Sequence, residues 1–247
     1  MIGITGFTDR LGNQIWQLAV ADSLAKANED SVAYPSWNYS KYFEGDFTPA
    51  NKGIISSIWN EPHFHYDPIE YRKCMNIQGY YQSYKYLNEE LVKEKFKFKK
   101  DILEGLLETH KELLGQTNCS IHIRRGDYIN LPNHHPLVTM EYVMKAVEEF
   151  SEETKFLVLS DDTEWCKNNF PALDSKFFII EGQTDVEDLA LQTICENNII
   201  SNSSYSWWGA FLNANPNKKI IAPERWFGTA YAHYDTKDIC PESWIIK

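Results

Sequence analysis

In the second half of the chain, short apolar runs alternate with longer stretches of helical period. The runs are CSIHIR (119–124), KFLVLS (155–160), KFFII (176–180), NNIIS (197–201) and KKIIAP (218–223). In the first of them Ile121 and Ile123 alternate with His122 and Arg124, the period of a half-buried strand. Between the runs, Met140, Val143, Met144, Val147 and Phe150 recur at spacings of three and four and predict a helix. Thr184 and Glu187 have the spacing of a capping box, which marks a helix start ahead of Leu189, Leu191 and Cys195. Strand and helix units in series predict an α/β architecture with a doubly wound, mostly parallel sheet.

The first half has a weaker rhythm. MIGITGF predicts a short strand and residues 13–27 a helix, whereas residues 35–86 are rich in Tyr, Trp, Phe and Pro and yield no topology. In KEKFKFKKDILEGLLETHKELL (93–114), the apolar set Ile102, Leu103, Leu106, Leu107, His110, Leu113 and Leu114 is helical. The change of rhythm near residue 117 divides the chain into domains 1–117 and 118–247.

A chain of 247 residues with 43% hydrophobic positions can bury a large core. Its net charge of −11 argues against nucleic acid or an anionic membrane surface as the main partner. The basic run Lys93 to Lys100 therefore reads as a solvated linker or edge strand. No apolar run approaches the roughly 18 to 20 residues of a membrane span, and MIGITGFTDR has no signal-peptide pattern, so a cytoplasmic location is expected. The five cysteines are widely spaced and form no zinc pattern; reduced thiols are expected.

The strand ends carry the chemistry. The strand at 119–124 ends in Arg124 and Arg125, stopped by the turn residues Gly126 and Asp127. Ligands of open α/β sheets bind outside the carboxyl ends of strands, so two cations there are candidates for holding an anion. A pair that only solvates a loop or bridges to carboxylates would leave the same trace. The strand at 197–201 runs into SNSSYSWWGA, with Ser203, Ser204 and Ser206 at a helix start, where free N–H groups and the dipole favour an anion. An ordinary N-cap needs only one of these serines. Neither a P-loop nor a G-x-G-x-x-G is present, which removes the usual support for ATP hydrolysis or nicotinamide chemistry. Asp161 and Asp162 end another strand, and a cap on the next helix is favoured there over a metal site. Asn13 and Gln14, at a loop-to-helix junction beside Gly12, read either as caps or as readers of hydroxyls or phosphate.

Five segments, DRLGNQIWQLA (9–19), GYYQSYKYL (79–87), HIRRGDY (122–128), LSDDTEWC (159–166) and SNSSYSWWGAFLN (201–213), resemble in order the signature segments of the α-1,2-fucosyltransferases. That resemblance implies a GT-B-like fold, two Rossmann-like halves facing a cleft, with the donor half at 118–247 and the acceptor side at 1–117. It implies an inverting, metal-independent glycosyltransferase with no cofactor, using GDP-fucose as donor and an oligosaccharide acceptor, usually the 2-hydroxyl of a galactoside. Carried onto this chain, Arg124 contacts the departing diphosphate and Arg125 supports it. His122 and Asp188 hold the nucleotide, Ser203, Ser204 and Ser206 meet phosphate or sugar oxygens, and Asn13 with Gln14 closes the cleft from the other half. The chain is shorter than the family pattern within its acceptor half.

Negative charge grows on the diphosphate as its bond to the sugar breaks, so cations fixed there stabilise the transition state more than the ground state. Asp127 and His135 are the candidate bases for the acceptor hydroxyl, although Asp127 could instead fix the arginines. Other readings are a related fucosyltransferase with a different sugar or protein acceptor, or a carbohydrate-binding or adhesion module suggested by Arg125-Gly126-Asp127, Trp207 and Trp208. The tryptophans share a helical pattern with Phe211 and Leu212 and read more simply as core.

Overall fold

A computed structural model describes residues 1–247 apart from 8, 52, 54 and 171–174. The apolar runs become two all-parallel sheets, one in each of two compact units. The first unit is Met1–Lys99 with Tyr234–Pro241, and the second is Lys100–His233 with Glu242–Lys247. The division drawn near residue 117 separates the same two sheets, but the helical stretch before it belongs with the second unit, and Tyr234–Pro241 after it belongs with the first, where Asp238 accepts from Tyr66 N and pairs with Lys85.

The first unit contains strand β1 (Ile2–Ile4), helix α1 (Leu11–Ala27), strands β2 (Val32–Ala33), β3 (Ser57–Asn60) and β4 (Met75–Gln78), and helix α2 (Glu89–Lys95). Its strands lie in the order β2-β1-β4-β3. α1 is apolar on most sides and packs as a core helix, with Ile15, Trp16, Leu18, Ala19 and Ala21 buried. The aromatic stretch that had no readable topology supplies much of the remaining core. Trp37 stacks on Phe43 at 5.3 Å and meets Phe47 and Phe96 edge-on. The basic run is no solvated linker: Lys93 and Lys95 close α2, Phe96 and Phe98 are buried, and Lys95 Nζ donates to Asp22 Oδ1 at 2.8 Å. Phe98 does form an isolated antiparallel bridge, to Phe43.

The second unit begins with helices α3 (Lys100–Thr109) and α4 (Lys111–Leu114). It continues with β5 (Asn118–Ile123), α5 (Met140–Val147), β6 (Lys155–Ser160), α6 (Thr163–Asn169), β7 (Phe177–Ile179), α7 (Asp185–Ile194), β8 (Asn197–Ile199), α8 (Ser204–Phe211), β9 (Ile220–Ala222) and β10 (Ile245–Ile246). α3 packs on α7, which ties the helical stretch to this unit. The strand order is β10-β9-β8-β5-β6-β7. The chain builds outward from β5 through β6 to β7, then returns to β8 on the other side of β5 and continues to β9 and β10. The order therefore reverses between β5 and β8, the place where open α/β sheets bind ligands.

Every residue of β5 is buried, as expected of a central parallel strand covered on both faces. Cys119, Ile121 and Ile123 point into a core with Val143, Ala146, Val147, Phe156, Cys166 and Phe170. Ser120 and His122 point to the other face, where both find polar partners from β8 and its loop: Asn198 Nδ2 donates to Ser120 Oγ at 2.8 Å, and His122 meets Ser201. Trp207 and Trp208 are fully buried, as their helical pattern predicted. The capping box of Thr184 and Glu187 is formed at the start of α7. No helix among the described residues is long and apolar enough to cross a membrane. The five cysteines are free thiols.

Candidate functional site

The register of two strands builds the arginine cluster. β5 and β6 pair in parallel from Asn118 with Lys155 to Ile123 with Ser160. Carried one step further, that register sets Arg124 beside Asp161 and Arg125 beside Asp162. Arg124 Nη1 lies 2.5 Å from Asp161 Oδ2, while Arg124 Nη2 pairs with Asp127 Oδ1 on the 3-10 turn Gly126–Asn130. Arg125 Nε donates to Asp162 Oδ2 at 3.0 Å, its backbone N–H donates to Asp161 Oδ1 at 2.8 Å, and its guanidinium lies 4.1 Å above the Trp165 ring. A Cβ at Gly126 would stand 2.3 Å from Asp161 Oδ2, so any other residue there would have to displace the carboxylate from its place beside Arg124. Both arginines are thus held in fixed orientations, largely buried, at the carboxyl end of the central strand.

On the β8 side of the same edge, His122 Nδ1 lies 3.0 Å from Ser201 Oγ, and its ring packs 5.1 Å from that of Tyr205. Burial, reinforced by the Arg124 charge, pushes His122 down to about 3, so the imidazole is neutral at physiological pH. Ser203 caps α8 by accepting from Tyr205 N at 3.3 Å. Ser206 turns inward and donates to the carbonyls of Ser201 and Ser203. Ser204 is half-buried at the first residue of the helix, beside the N–H groups that an α-helix start leaves without intrahelical partners. Of the three predicted serines, two therefore shape the helix start through local bonds.

Tyr128 joins the two sides. Its ring lies 5.4 Å from the Arg124 guanidinium, its hydroxyl donates to Asn202 O at 3.1 Å, and burial pushes it up to about 12. Asn202 Nδ2 in turn donates to Pro136 O and Trp226 O, tying together the loops that follow β5, β8 and β9. His135 stacks on Tyr128 at 4.6 Å and packs near Phe227 and Tyr231, which puts this predicted residue on the aromatic wall of the edge. Asp188 lies one turn after Asp185, whose carbonyl accepts from Tyr205 Oη at 2.5 Å. Burial, with the charges of Glu187 and Asp185 adding to it, pushes the Asp188 carboxyl up to about 7.

In the first unit, Asn13 and Gln14 lie in the first turns of α1 and bond back to the loop before it. Asn13 Nδ2 and Gln14 Nε2 both reach Asp9, which has a positive φ of 56°; Gln82 donates to Asn13 Oδ1 and Trp37 to Gln14 Oε1. The helix cap itself is Arg10, which makes no side-chain capping bond.

Sequence reasoning missed Asp161 as the partner of Arg124. It read Asp162 correctly as the cap of α6, accepting from Trp165 N at 3.1 Å, but not as the partner of Arg125. The signal was available: two strands consecutive in the chain and joined by one helix are usually neighbours, so their polar ends meet. Tyr128, Ser201 and Tyr205 carried no comparable signal, because their roles depend on a contact across the reversal of strand order.

Residues 54–246 match Glycosyl transferase family 11. The chain belongs to that family. Among its relatives, the O-antigen biosynthesis glycosyltransferase WbnK of Escherichia coli is 38% identical over 135 residues, 51% of this chain and 43% of that protein. The chain thus spans about half the length of this relative and of the Escherichia coli alpha-1,2-colitosyltransferase, to which it is also similar. Galactoside alpha-(1,2)-fucosyltransferase 2 of Hylobates lar is 26% identical over 261 residues, 88% of this chain and 75% of that protein. The fold is that of the fucosyltransferase NodZ from Bradyrhizobium, with a TM-score of 0.57 at 13% identity over 84% of this chain and 91% of that one. NodZ has also been solved after soaking with GDP-fucose. Family 11 membership and this α/β fold agree with the expected GT-B-like class.

Proposed function

We propose that this family 11 protein transfers fucose from GDP-fucose to a galactoside, at its 2-hydroxyl and with inversion, and that it does so without a metal or cofactor. The observation that carries the reading is that Arg124 and Arg125 follow β5 and the start of α8 follows the adjacent β8, on the two sides of the reversal of strand order. The names of its relatives support fucosyl transfer to galactosides.

In this reading Arg124 receives the diphosphate, Arg125 and the α8 start complete the anion site, and neutral His122 lines it. Asp188, ionised, accepts the N–H donors of guanine. The acceptor oxygen bonds to the anomeric carbon from the face opposite the diphosphate. The bond to the diphosphate breaks, its electron pair leaves with the phosphate oxygen, and the acceptor proton passes to a base. Asp127 and His135 are the candidate bases, Asp127 being already paired with Arg124. The amide-rich first unit suits recognition of the neutral acceptor, and five free thiols support a reducing, cytoplasmic compartment.

An adhesive role for Arg125-Gly126-Asp127 is disfavoured, because Arg125 is held by Asp162 and Trp165 and Asp127 by Arg124. The test is a thermal shift with GDP, followed by incubation with GDP-fucose and a panel of galactosides and assignment of the product linkage. At one hundred times its Kd, GDP should stabilise the fold by about 2.7 kcal/mol and raise Tm by several degrees. A carbohydrate-binding module would give no shift, and activity lost to EDTA and restored by manganese would overturn the metal-free mechanism.

A further inference from the structure

The two ring nitrogens of His122 have different surroundings. Nδ1 lies 3.0 Å from Ser201 Oγ, whereas nothing among the described residues bonds to Nε2, which keeps access to solvent although the residue is only 6% exposed. The β5–β8 register that pairs Ile121 with Ile199 carries Ser201 alongside His122. The chain there is held in place: Ile200 N donates to Ile221 O at 2.9 Å, and Ser203 N donates to Ser201 O at 2.8 Å. Tyr205 of α8 packs on the ring, and burial beside the Arg124 charge keeps it neutral. A neutral imidazole has one N–H and one lone pair, so the place of its proton decides whether the open nitrogen donates or accepts.

The serine hydroxyls decide that place. Ser206 Oγ has one proton and two carbonyls within reach, Ser201 O at 3.2 Å and Ser203 O at 3.3 Å. The Ser201 hydroxyl has two acceptors within reach, His122 Nδ1 at 3.0 Å and Ser206 Oγ at 3.4 Å. The second is longer than an ordinary O–H···O bond of about 2.5 to 3.0 Å, so Ser201 donates to Nδ1. We propose that Ser201 is a positioning residue that keeps His122 in the Nε2–H tautomer, presenting an N–H to an oxygen of GDP-fucose. This inference rests on the nucleotide reading above. In the other tautomer the Nε2 lone pair would face the nucleotide's oxygens and repel them. An N–H at that nitrogen adds a fixed neutral donor to the two arginines without adding a further charge.

The experiment is heteronuclear NMR of the whole chain labelled at its histidine nitrogens, with the His122 signals assigned by their loss in His122→Gln, and calorimetry with GDP. Wild-type His122 should carry its proton on Nε2 alone. Ser201→Ala should let both tautomers appear, weaken GDP binding about two- to tenfold and raise the KM for GDP-fucose without changing that for the galactoside. Ser201→Thr keeps the hydroxyl and should restore the single tautomer and the affinity. Because Ser201 is fully buried, Ser201→Cys serves as a second variant of similar size; its weak S–H donor should give an intermediate result. A wild-type His122 protonated at Nδ1 would overturn the proposal, as would a folded Ser201→Ala protein that keeps the Nε2–H form alone or binds GDP as tightly as the wild type. A wild-type protein that shows the Nε2–H form but has no affinity for GDP would instead remove the reading beneath it.

Discussion

At the carboxyl edge of the first unit's sheet amides and tyrosines stand with Asp9 and Arg10 of the loop after β1, and a carboxylate, Glu61, clasps the backbone N–H groups of Tyr80 and Tyr81 at 2.6 and 2.9 Å. At the same edge of the second unit's sheet stand two arginines in carboxylate clamps, a neutral histidine and a serine-rich helix start. Both sheets are parallel and both present a ledge of loops beyond their strand ends. Parallel layering therefore supplies the ledge, and the loop residues decide what it can bind. Neutral donors and acceptors suit hydroxyl groups, whereas planar guanidinium groups and a helix start suit phosphate.

The contrast is broken most directly at Arg124. Arg124→Ala should lower turnover on the order of 100- to 1,000-fold in protein that is still folded at the assay temperature, with some loss of Tm because Asp161 and Asp127 lose their partner, and lysine should rescue little because it lacks the planar fork. Retained transfer in a single-turnover assay would mean that the charged edge is not the reacting one. Asp161→Asn should lower kcat by up to about 100-fold through misplacement of Arg124, with only a small change in the galactoside KM. A change confined to the galactoside KM would instead assign Asp161 to the acceptor.

Two titrations sharpen the same comparison. Asp188 in the free protein is raised to about 7, and guanine donors need its ionised form, so GDP-fucose affinity should rise as pH increases through about 7 and then level off. Binding should release a proton on the acid side of that range, and Asp188→Asn should abolish the dependence, as read by calorimetry in buffers of different ionisation heat. His122 has the opposite shift. Its folded value of about 3 lies below its ordinary 6.5, so the unfolded chain binds more protons between these values and stability is lost as pH falls from 6.5 toward 3. Urea unfolding should show a shallower acid slope in His122→Gln. The smallest effect is expected in the first unit. Asn13→Ala removes bonds to Asp9 and Gln82 and should change GDP affinity by no more than about 0.5 kcal/mol. A larger loss would place this amide in the donor site.

Legibility followed the kind of signal each region carried. The β5 strand, its polar end at Arg124 and Arg125, the capping box at Thr184 and the buried Trp207 and Trp208 were all readable, since each depends on residues a few positions apart. The aromatic cluster around Trp37 was not, because it is assembled from Phe43, Phe47, Phe96 and Phe98 without any period that a single window can detect. Ser206 looked like a phosphate ligand because it stands at a helix start; its inward rotamer and its bonds to Ser201 and Ser203 follow from packing.

Local chemistry along the chain was enough to establish the alternation of strands and helices, the charged and hydroxyl-rich turns, and the family. Which carboxylate meets which arginine depended instead on the parallel register of β5 with β6, and the pairing of His122 with Ser201 on the return of the chain to β8. Periodicity and capping act over one or two turns of chain, whereas strand order and register emerge only when distant segments bury their apolar faces together.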